Sequence, residues 1–379
     1  MEMTRLPDLV CLSHLRWNFV FQRPQHLMSR FARERRVFFF EEPLPAEDED
    51  LPRLDVRRTE EGVVVAVPRL RAGLESLEAE QVQRELLDAL LREHSVENFV
   101  CWYWTPMALG FSAHLEPLAV VFDCMDELSL FKGASPLLLD REAELISRAD
   151  LMFTGGMSLY EHKRARHPNV HGVPSSVDFG HFSAARLPQP DPPDQAGIPH
   201  PRLGFFGVID ERLDIQLLGE TAAARPEWHW VMLGPVAKID PGELPRAANI
   251  HWLGSKKYRE LPAYLSGWDV GVMPFARNDS TRFISPTKTP EFLAAGLPVV
   301  STSIRDVVSP YGEQGLVCIA DRPGEVVGCV ERLLAQDRGE HLARADRFLA
   351  STSWDLTWSR MRSLLDSATP SRRLSAPAA

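Results

Sequence analysis

A lysine and a glutamate stand three residues apart in the stretch from Phe283 to Ser301, which reads FISPTKTPEFLAAGLPVVS. Pro290 lies between Lys288 and Glu291 and favours the first turn of a helix, where a carboxylate is stabilised. Backbone amides at a helix start also suit a diphosphate. The stretch is therefore a candidate site for a ligand that carries phosphate groups.

A second candidate residue is Arg212, in the loop after the apolar run Leu203–Phe206 and Gly207. A guanidinium group matches the geometry of phosphate oxygens, which makes Arg212 a candidate phosphate contact. The alternative is a surface salt bridge with Glu211 or Asp214.

The segment from Lys288 to Val300 resembles the "K-x-x-E-x-x-A-x-G-x-P-V-V" donor segment of the large family four of retaining GT-B glycosyltransferases. The resemblance covers residues 8–366 and is strongest in 203–301. It implies that Glu291 binds the two ribose hydroxyls of a nucleotide sugar, and that Gly296 lets the backbone pack closely. It places Lys288 and Arg212 at the diphosphate.

The sequence departs from this family at one position. Family members carry two glutamates separated by seven residues, but the first of these positions is occupied here by Phe283. Phenylalanine cannot hydrogen-bond a sugar hydroxyl. Either Asp279 takes over this catalytic position, or backbone amides of the Ser280–Ser285 loop hold the sugar; Ser285 is therefore a candidate donor contact.

The loops that resemble the family's nucleobase pocket contain Gly234 and Tyr258, and Gly207 closes the first strand of this half. Tyr258 is a candidate for stacking on the base. The alternative is a tyrosine that packs on the surface at the start of a helix.

The N-terminal half is expected to bind the acceptor. His14, Arg16 and Trp17 follow the first apolar run, and Arg23 opens the first helix. Trp17 could stack on a sugar ring, and the basic side chains could bind hydroxyls or a phosphate. The alternative for Trp17 is packing within the loop.

Asp126 follows the apolar run Val120–Phe122 in an acidic turn. Where family members often place a histidine that touches the transferred sugar, Asp126 could hydrogen-bond that sugar or orient the acceptor. The alternative role is to cap the turn that follows.

Short apolar runs alternate with helical patterns along the whole chain, which predicts βαβ units and parallel sheets. The predicted strands of the first half are 9–12, 37–40, 63–67, 99–102 and 120–122, and its predicted helices include 25–35 and 80–93. Those of the second half are 203–206, 230–233, 250–253, 270–273, 299–301 and 316–319. Ligands of such sheets bind beyond the carboxyl ends of the strands.

These patterns predict an α/β protein of the GT-B type, with two Rossmann-like domains facing across a cleft. Six prolines between Ser183 and Pro201 predict an extended linker. The predicted division is an acceptor domain (1–182), the linker (183–201), a nucleotide-sugar domain (202–353), a terminal helix that crosses back to the first domain (354–367) and a disordered tail (368–379).

Length and charge limit the class of protein. A chain of 379 residues predicts two domains, and a net charge of -10 argues against a general nucleic-acid binder. The first apolar run is too short for a secretory signal, and no run reaches the roughly 18–20 residues that span a bilayer. We therefore expect a cytoplasmic protein. The five cysteines form no CxxC pair, and we expect them to be buried, reduced thiols.

Two charged segments offer weaker functional signals. The acidic triplet Asp48-Glu49-Asp50 resembles a metal-binding motif of the other glycosyltransferase fold, but its proline-flanked charge run favours a solvated loop. We therefore expect no metal and no cofactor. The basic cluster Arg30, Arg33, Arg35 and Arg36 favours a solvated helix end, although a lipid-linked acceptor would make peripheral contact with a membrane plausible.

The predicted function is transfer of a hexosyl group from a nucleoside diphosphate sugar to a hydroxyl of a sugar or lipid-linked acceptor, with the anomeric configuration retained. The alternatives are a GT-B sugar-nucleotide epimerase or phosphorylase, or an inactive protein that kept the nucleotide-sugar pocket.

Overall fold

The computed structural model describes residues 6–46 and 52–369. The Asp48–Asp50 triplet and most of the predicted tail lie outside these ranges. Within the described part of the chain, the first sheet has nine strands: β1 (Asp8–Leu12), β2 (Val37–Phe40), β3 (Leu44–Pro45), β4 (Arg53–Arg58), β5 (Val64–Leu70), β6 (Phe99–Tyr103), β7 (Ala119–Cys124), β8 (Leu151–Thr154) and β9 (Val170–Gly172).

Helices cover this first sheet. They are α1 (Arg23–Phe31), α2 (Ser76–Glu93), α3 (Leu109–Ser112), α4 (Leu138–Arg148) and α5 (Met157–Lys163). The next helix, α6 (Phe179–Ser183), packs on the second half instead, and its Phe182 is buried in the core of that half. The strand order is β3-β5-β2-β1-β6-β7-β8-β9, and the pairs along it are parallel. β4 pairs antiparallel with β5 and forms a hairpin with it. The sequence analysis missed β4 because its residues, RLDVRR, contain no apolar run.

The second sheet is parallel throughout, in the order β12-β11-β10-β13-β14-β15. Its strands are β10 (Arg202–Phe206), β11 (His229–Leu233), β12 (Ile250–Gly254), β13 (Val270–Met273), β14 (Val299–Ser301) and β15 (Val317–Ile319). Its helices are α7 (Ile215–Ala224), α8 (Leu261–Ser266), α9 (Lys288–Ala294), α10 (Arg305–Val307), α11 (Pro323–Ala335) and α12 (Arg338–Leu349). The predicted fold class of two Rossmann-like parallel-sheet halves is confirmed.

The last helix of the described residues is α13 (Trp354–Ala368), which packs on the first half. Trp354, Met361 and Leu365 are buried in the same core cluster as residues of β1, β2 and β6. Asp355 accepts a hydrogen bond from Arg30 of α1 at 2.9 Å. The chain therefore crosses to the second sheet and returns.

The proline-rich segment from 183 to 201 is packed rather than free. Gln195 is fully buried, donates to the carbonyl of Tyr264 at 3.0 Å and accepts from the indole of Trp268 at 2.8 Å. Side-chain hydrogen bonds therefore fasten this segment to the second half, although its prolines keep it out of the sheet.

The cysteine prediction is wrong for one pair. Cys318 on β15 and Cys329 on α11 form a disulfide, with Cα atoms 6.1 Å apart. The helix that follows β15 folds back over the strand, so a separation of 11 residues becomes a close contact. Cys11, Cys101 and Cys124 are free and buried.

Candidate active site

A cleft of about 860 Å³ lies between the two halves, at the carboxyl ends of the second sheet's strands. Its lining includes Trp17–Phe21 and the hairpin segment Arg57–Glu61 from the first half. From the second half it includes Phe206, Gly207, the turn Leu233–Pro235, the loop Ser255–Tyr258, Lys288 and Glu291. Five of the predicted donor residues thus line one cleft: Gly207, Gly234, Tyr258, Lys288 and Glu291.

Glu291 is a buried carboxylate with few partners. Its side chain is 8% exposed, and burial raises its pKa to about 7, opposed by Lys288. Within the described residues its polar neighbours are the Thr287 hydroxyl at 3.4 Å and the Lys288 ammonium at 3.8 Å. A carboxylate has about four acceptor positions, so several of them are unfilled and face the cleft.

Lys288 lies next to this carboxylate on the first turn of α9. Its ammonium donates to Thr287 at 3.1 Å and lies 5.0 Å from the centre of the Phe206 ring. An ammonium group has three donors, so this leaves donors for an anionic ligand in the cleft.

Gly234 lies in the turn after β11, at a position where only glycine fits. Its φ is 144°, and a Cβ atom at this position would lie 1.7 Å from the carbonyl oxygen of Gly207. The turns after β10 and β11 therefore touch backbone to backbone and form the floor of the cleft. By contrast, a Cβ atom on Gly296, for which the family resemblance implied close packing, would lie 3.4 Å from the Arg186 side chain, an ordinary contact distance. Gly296 follows α9 with a φ of 81°, a conformation that favours glycine.

Tyr258 lines the cleft, but its ring is already stacked. It lies parallel to His181 at 4.1 Å, and Phe21 of the first half packs against it at 4.7 Å. The predicted stacking of Tyr258 on the nucleobase is therefore wrong, because the ring belongs to an aromatic cluster that joins the two halves.

Arg212 lies outside the cleft lining and is paired with Asp210. The guanidinium makes three hydrogen bonds to this carboxylate, at 2.9, 3.1 and 2.6 Å. The sequence analysis considered a salt bridge with Glu211 or Asp214, whereas the partner is the residue two positions earlier. The diphosphate contact of Arg212 therefore stays a prediction, and it would require the guanidinium to bind phosphate besides Asp210.

Asp126 of the first half faces this same pair. Burial raises the pKa of Asp126, Arg212 opposes the rise, and Asp210 adds to it. Asp126 also borders a small cavity with Trp104 and Glu142. The three charged groups Asp126, Asp210 and Arg212 thus form one cluster across the two halves.

The segment that replaces the family's first glutamate forms a contact between the halves. Phe283 is 8% exposed, stacks on His162 of α5 at 4.6 Å and joins the core of the first half. Asp279 is exposed at the start of a 3-10 helix and lies outside the cleft lining. The structure therefore does not bring Asp279 to the site as a substitute for the glutamate.

Asp306 of the second half fastens the first half next to this contact. Its carboxylate accepts from the backbone amides of Met157 and Ser158 at the start of α5, at 2.8 and 2.9 Å. Ser285, predicted as a donor contact, interacts with this carboxylate instead. A Cβ on Gly156 would lie 2.1 Å from the Asp306 carboxylate, so glycine permits the contact. Sequence analysis missed Asp306, because its partners lie almost 150 residues away.

Only some of the predicted acceptor residues of the first half line the cleft. Trp17 lines the cleft but is 8% exposed and packs edge-on against Phe39 at 5.1 Å. Arg16 binds the Glu41 carboxylate at 3.3 Å and the carbonyls of Glu42 and Pro43, both at 3.2 Å, and so fixes its own loop.

His14 is neutral at physiological pH. Burial, and to a lesser extent the nearby Lys238 of the second half, lower its pKa to about 4. It can therefore contact an acceptor only as a neutral imidazole.

The prediction that Arg23 binds the acceptor is wrong. Its side chain is fully buried and makes three hydrogen bonds to Asp123 of β7, at 2.9 to 3.1 Å. A fourth bond joins it to the carbonyl of Val173 at 2.7 Å. A buried charge must be paired, and Asp123, 100 residues away, provides the pairing.

The basic cluster at the end of α1 is also paired. Arg30 and Arg33 bind Asp355, Arg35 binds Asp366 and Arg36 binds Asp8. In residues 6–46 and 52–369, no helix is long and apolar enough to cross a membrane. The same ranges contain no group of three or more histidine, cysteine or acidic residues that could hold a metal.

Comparison with known proteins identifies the family. Residues 200–336, which contain β10 to α11, match the family model described as "Glycosyl transferases group 1". The chain is 30% identical over 289 residues to a Bacillus subtilis (strain 168) protein that carries the name teichuronic acid biosynthesis glycosyltransferase TuaH. That match covers 70% of this chain and 72% of the relative. The chain belongs to the group 1 glycosyltransferases. It is a nucleotide-sugar glycosyltransferase, as the sequence predicts.

Solved structures show the same fold for this glycosyltransferase. Sucrose-phosphate synthase from Thermosynechococcus elongatus superposes with a TM-score of 0.70 at 16% identity, over 96% of this chain and 99% of that chain. The E. coli trehalose-6-phosphate structure bound with UDP-2-fluoro glucose gives 0.67 at 12% identity, over the same shares. The catalytic domain of starch synthase IV from Arabidopsis thaliana also gives 0.67, at 9% identity and again over 96% and 99%. These likenesses establish the GT-B fold.

Proposed function

We propose that this glycosyltransferase binds its nucleotide sugar with the ribose at Glu291 and the diphosphate at Lys288. One observation carries the proposal: the buried Glu291 carboxylate has unfilled acceptor positions that face the cleft, 3.8 Å from a lysine ammonium. Burying a carboxylate without hydrogen bonds is costly, and two neighbouring hydroxyls would supply the missing donors.

The diphosphate would be stabilised by side chains. Lys288 offers free donors, and Arg57, Arg58 and Lys257 line the same cleft. As the bond to the sugar breaks, negative charge grows on the diphosphate, and fixed cations near it lower the barrier. We therefore propose that transfer needs no divalent metal. Activity with excess chelator should stay near the untreated rate, and a complete loss that magnesium or manganese restores would contradict this proposal.

We propose transfer to a hydroxyl of a sugar or lipid-linked acceptor held by the first half, with retention of configuration. The family membership supports retention, and magnetic resonance of the product's anomeric proton tests it. Arg30 in the last turn of α1, and Arg35 and Arg36 after it, are engaged by carboxylates, so a lipid-linked acceptor would be bound through the cleft rather than by these arginines.

The function is tested by release of nucleoside diphosphate from a panel of nucleotide sugars, with and without an acceptor mixture. We expect one donor to be turned over only when an acceptor is present. Glu291→Ala should lose this activity, and Glu116→Ala, which removes an exposed carboxylate outside the cleft lining, should keep it. Release without an acceptor, accompanied by an altered sugar, would instead indicate an epimerase.

A further inference from the structure

The loop between β1 and α1 presents an aromatic ring to solvent. Phe19 is 56% exposed and lines the same cleft as Glu291 and Lys288. A single exposed apolar ring is common on a protein surface, so it is the position of Phe19 in the cleft lining that marks it as a candidate ligand contact. None of the contacts described above uses this side chain.

The backbone around Phe19 is fixed by side chains from outside the loop. Gln25 of α1 is fully buried, and its amide donates to the carbonyls of Trp17 at 2.8 Å and Val20 at 3.1 Å. The backbone amide of Trp17 donates to Glu41 at 2.8 Å. These bonds hold both sides of Phe19, so the ring projects from a rigid loop and is already in place for a ligand.

The loop lies opposite the β12 end of the second sheet. Two residues after Phe19, the ring of Phe21 lies 4.7 Å from Tyr258, which follows the cleft-lining loop Ser255–Lys257. Two peptide steps span at most about 7 Å, so Phe19 lies close to that loop. In the second sheet, β11 lies between β12 and β10. Lys288, the proposed phosphate contact, packs against Phe206 of β10 and therefore lies two strands away from β12.

The order of groups in a nucleotide then indicates what Phe19 meets. With the diphosphate at Lys288 and the ribose at Glu291, the base extends from the ribose away from the phosphates, toward β11 and β12. Tyr258 cannot stack on it, because His181 and Phe21 occupy its ring faces. Aromatic side chains stack on any base, since every base has a π face.

We propose that Phe19 stacks on the nucleobase of the donor, so that the first half contributes directly to nucleotide recognition. This inference rests on the donor site proposed above. The base would lie between the rigid β1–α1 loop and the turns after β11 and β12, and it would join the two halves. Substitution of Phe19 should therefore alter donor binding, although this residue belongs to the half that is expected to bind the acceptor.

The test measures affinity for uridine, adenosine and guanosine diphosphates, and for ribose 5-phosphate, which has no base. Phe19→Ala should weaken the tightest nucleoside diphosphate about 5- to 150-fold, the range expected for loss of one base stack. Phe19→Trp should bind within about three-fold of wild type, because indole also stacks. Neither variant should change binding of ribose 5-phosphate. Leu356→Ala removes a comparably exposed apolar side chain outside the cleft lining and should have no effect.

Three results would overturn the inference. Phe19→Ala could bind the nucleoside diphosphate as tightly as wild type, or it could weaken ribose 5-phosphate equally, which would indicate a disturbed loop. It could also raise only the KM of the acceptor, in which case the ring stacks on the acceptor sugar. Failure of the donor site itself has a different signature, since Glu291→Ala would then leave nucleotide affinity unchanged.

Discussion

Replacing Glu291 by glutamine should stabilise the ligand-free enzyme. Burial raises the pKa of Glu291 from an ordinary 4.5 to about 7, and at 1.36 kcal/mol per pKa unit the charged form costs about 3.4 kcal/mol. Between pH 4.5 and 7 the folded protein holds a proton that the unfolded chain has released. Stability therefore falls as the pH rises through this window and stays low above pH 7. Glutamine has nearly the same shape and carries no charge.

The assay is urea unfolding followed by tryptophan fluorescence, without nucleotide, at pH 5, 6, 7 and 8. Glu291→Gln should exceed wild type by less than about 1 kcal/mol at pH 5 and by about 3 kcal/mol at pH 8. Glu116→Gln, at an exposed position, should follow wild type at each pH. A Gln variant that is less stable at pH 8, or a difference that does not change with pH, would refute the reasoning. The result bears on function because a buried, ionised carboxylate in a binding site is expected to destabilise the protein until the ligand supplies its hydrogen bonds.

Three further predictions concern other parts of the site. Gly234→Ala should abolish nucleotide binding and lower the unfolding midpoint, because the new Cβ would lie 1.7 Å from the Gly207 carbonyl. The control Gly324→Ala, whose new Cβ has no atom within 4 Å, should do neither. Normal nucleotide affinity of Gly234→Ala in a calorimetric titration would contradict this prediction. Asp306→Ala should increase the radius of gyration of the ligand-free enzyme in small-angle scattering, because two hydrogen bonds between the halves are lost. The control is Asp240→Ala, which removes a helix cap inside the second half. An unchanged radius of gyration in Asp306→Ala would show that other contacts hold the two halves together. Asp126→Asn should lower kcat and leave the donor Kd unchanged if Asp126 contacts the transferred sugar or the acceptor, and an unchanged kcat would exclude that role.

Strands and the main donor residues could be predicted because their signals are local. Apolar runs mark β10, β11, β13 and β14 within a residue or two, and the spacing of Lys288 and Glu291 is a feature of one helix. The environment of Glu291 could not be predicted, because its burial depends on how α9 packs against β10.

The errors concern residues whose partners the sequence does not reveal. Arg23 was assigned to a ligand because its partner Asp123 lies 100 residues away. Tyr258 was assigned to the base because the positions of His181 and Phe21 beside it depend on the packing of the two halves. Phe19 gave no signal, since a single aromatic residue in a loop has no periodicity.

The central claim, that the ribose is bound by Glu291 and the diphosphate by Lys288, is tested most directly by calorimetric titration with a nucleoside and its diphosphate. Glu291→Ala should weaken both ligands about ten-fold or more, since each hydrogen bond to a charged group contributes roughly 1.5–3 kcal/mol. Lys288→Ala should weaken the diphosphate far more than the nucleoside, and Glu116→Ala, at an exposed position outside the cleft lining, should weaken neither. If Glu291→Ala binds both ligands as tightly as wild type, the ribose is held elsewhere and the proposed donor site is wrong.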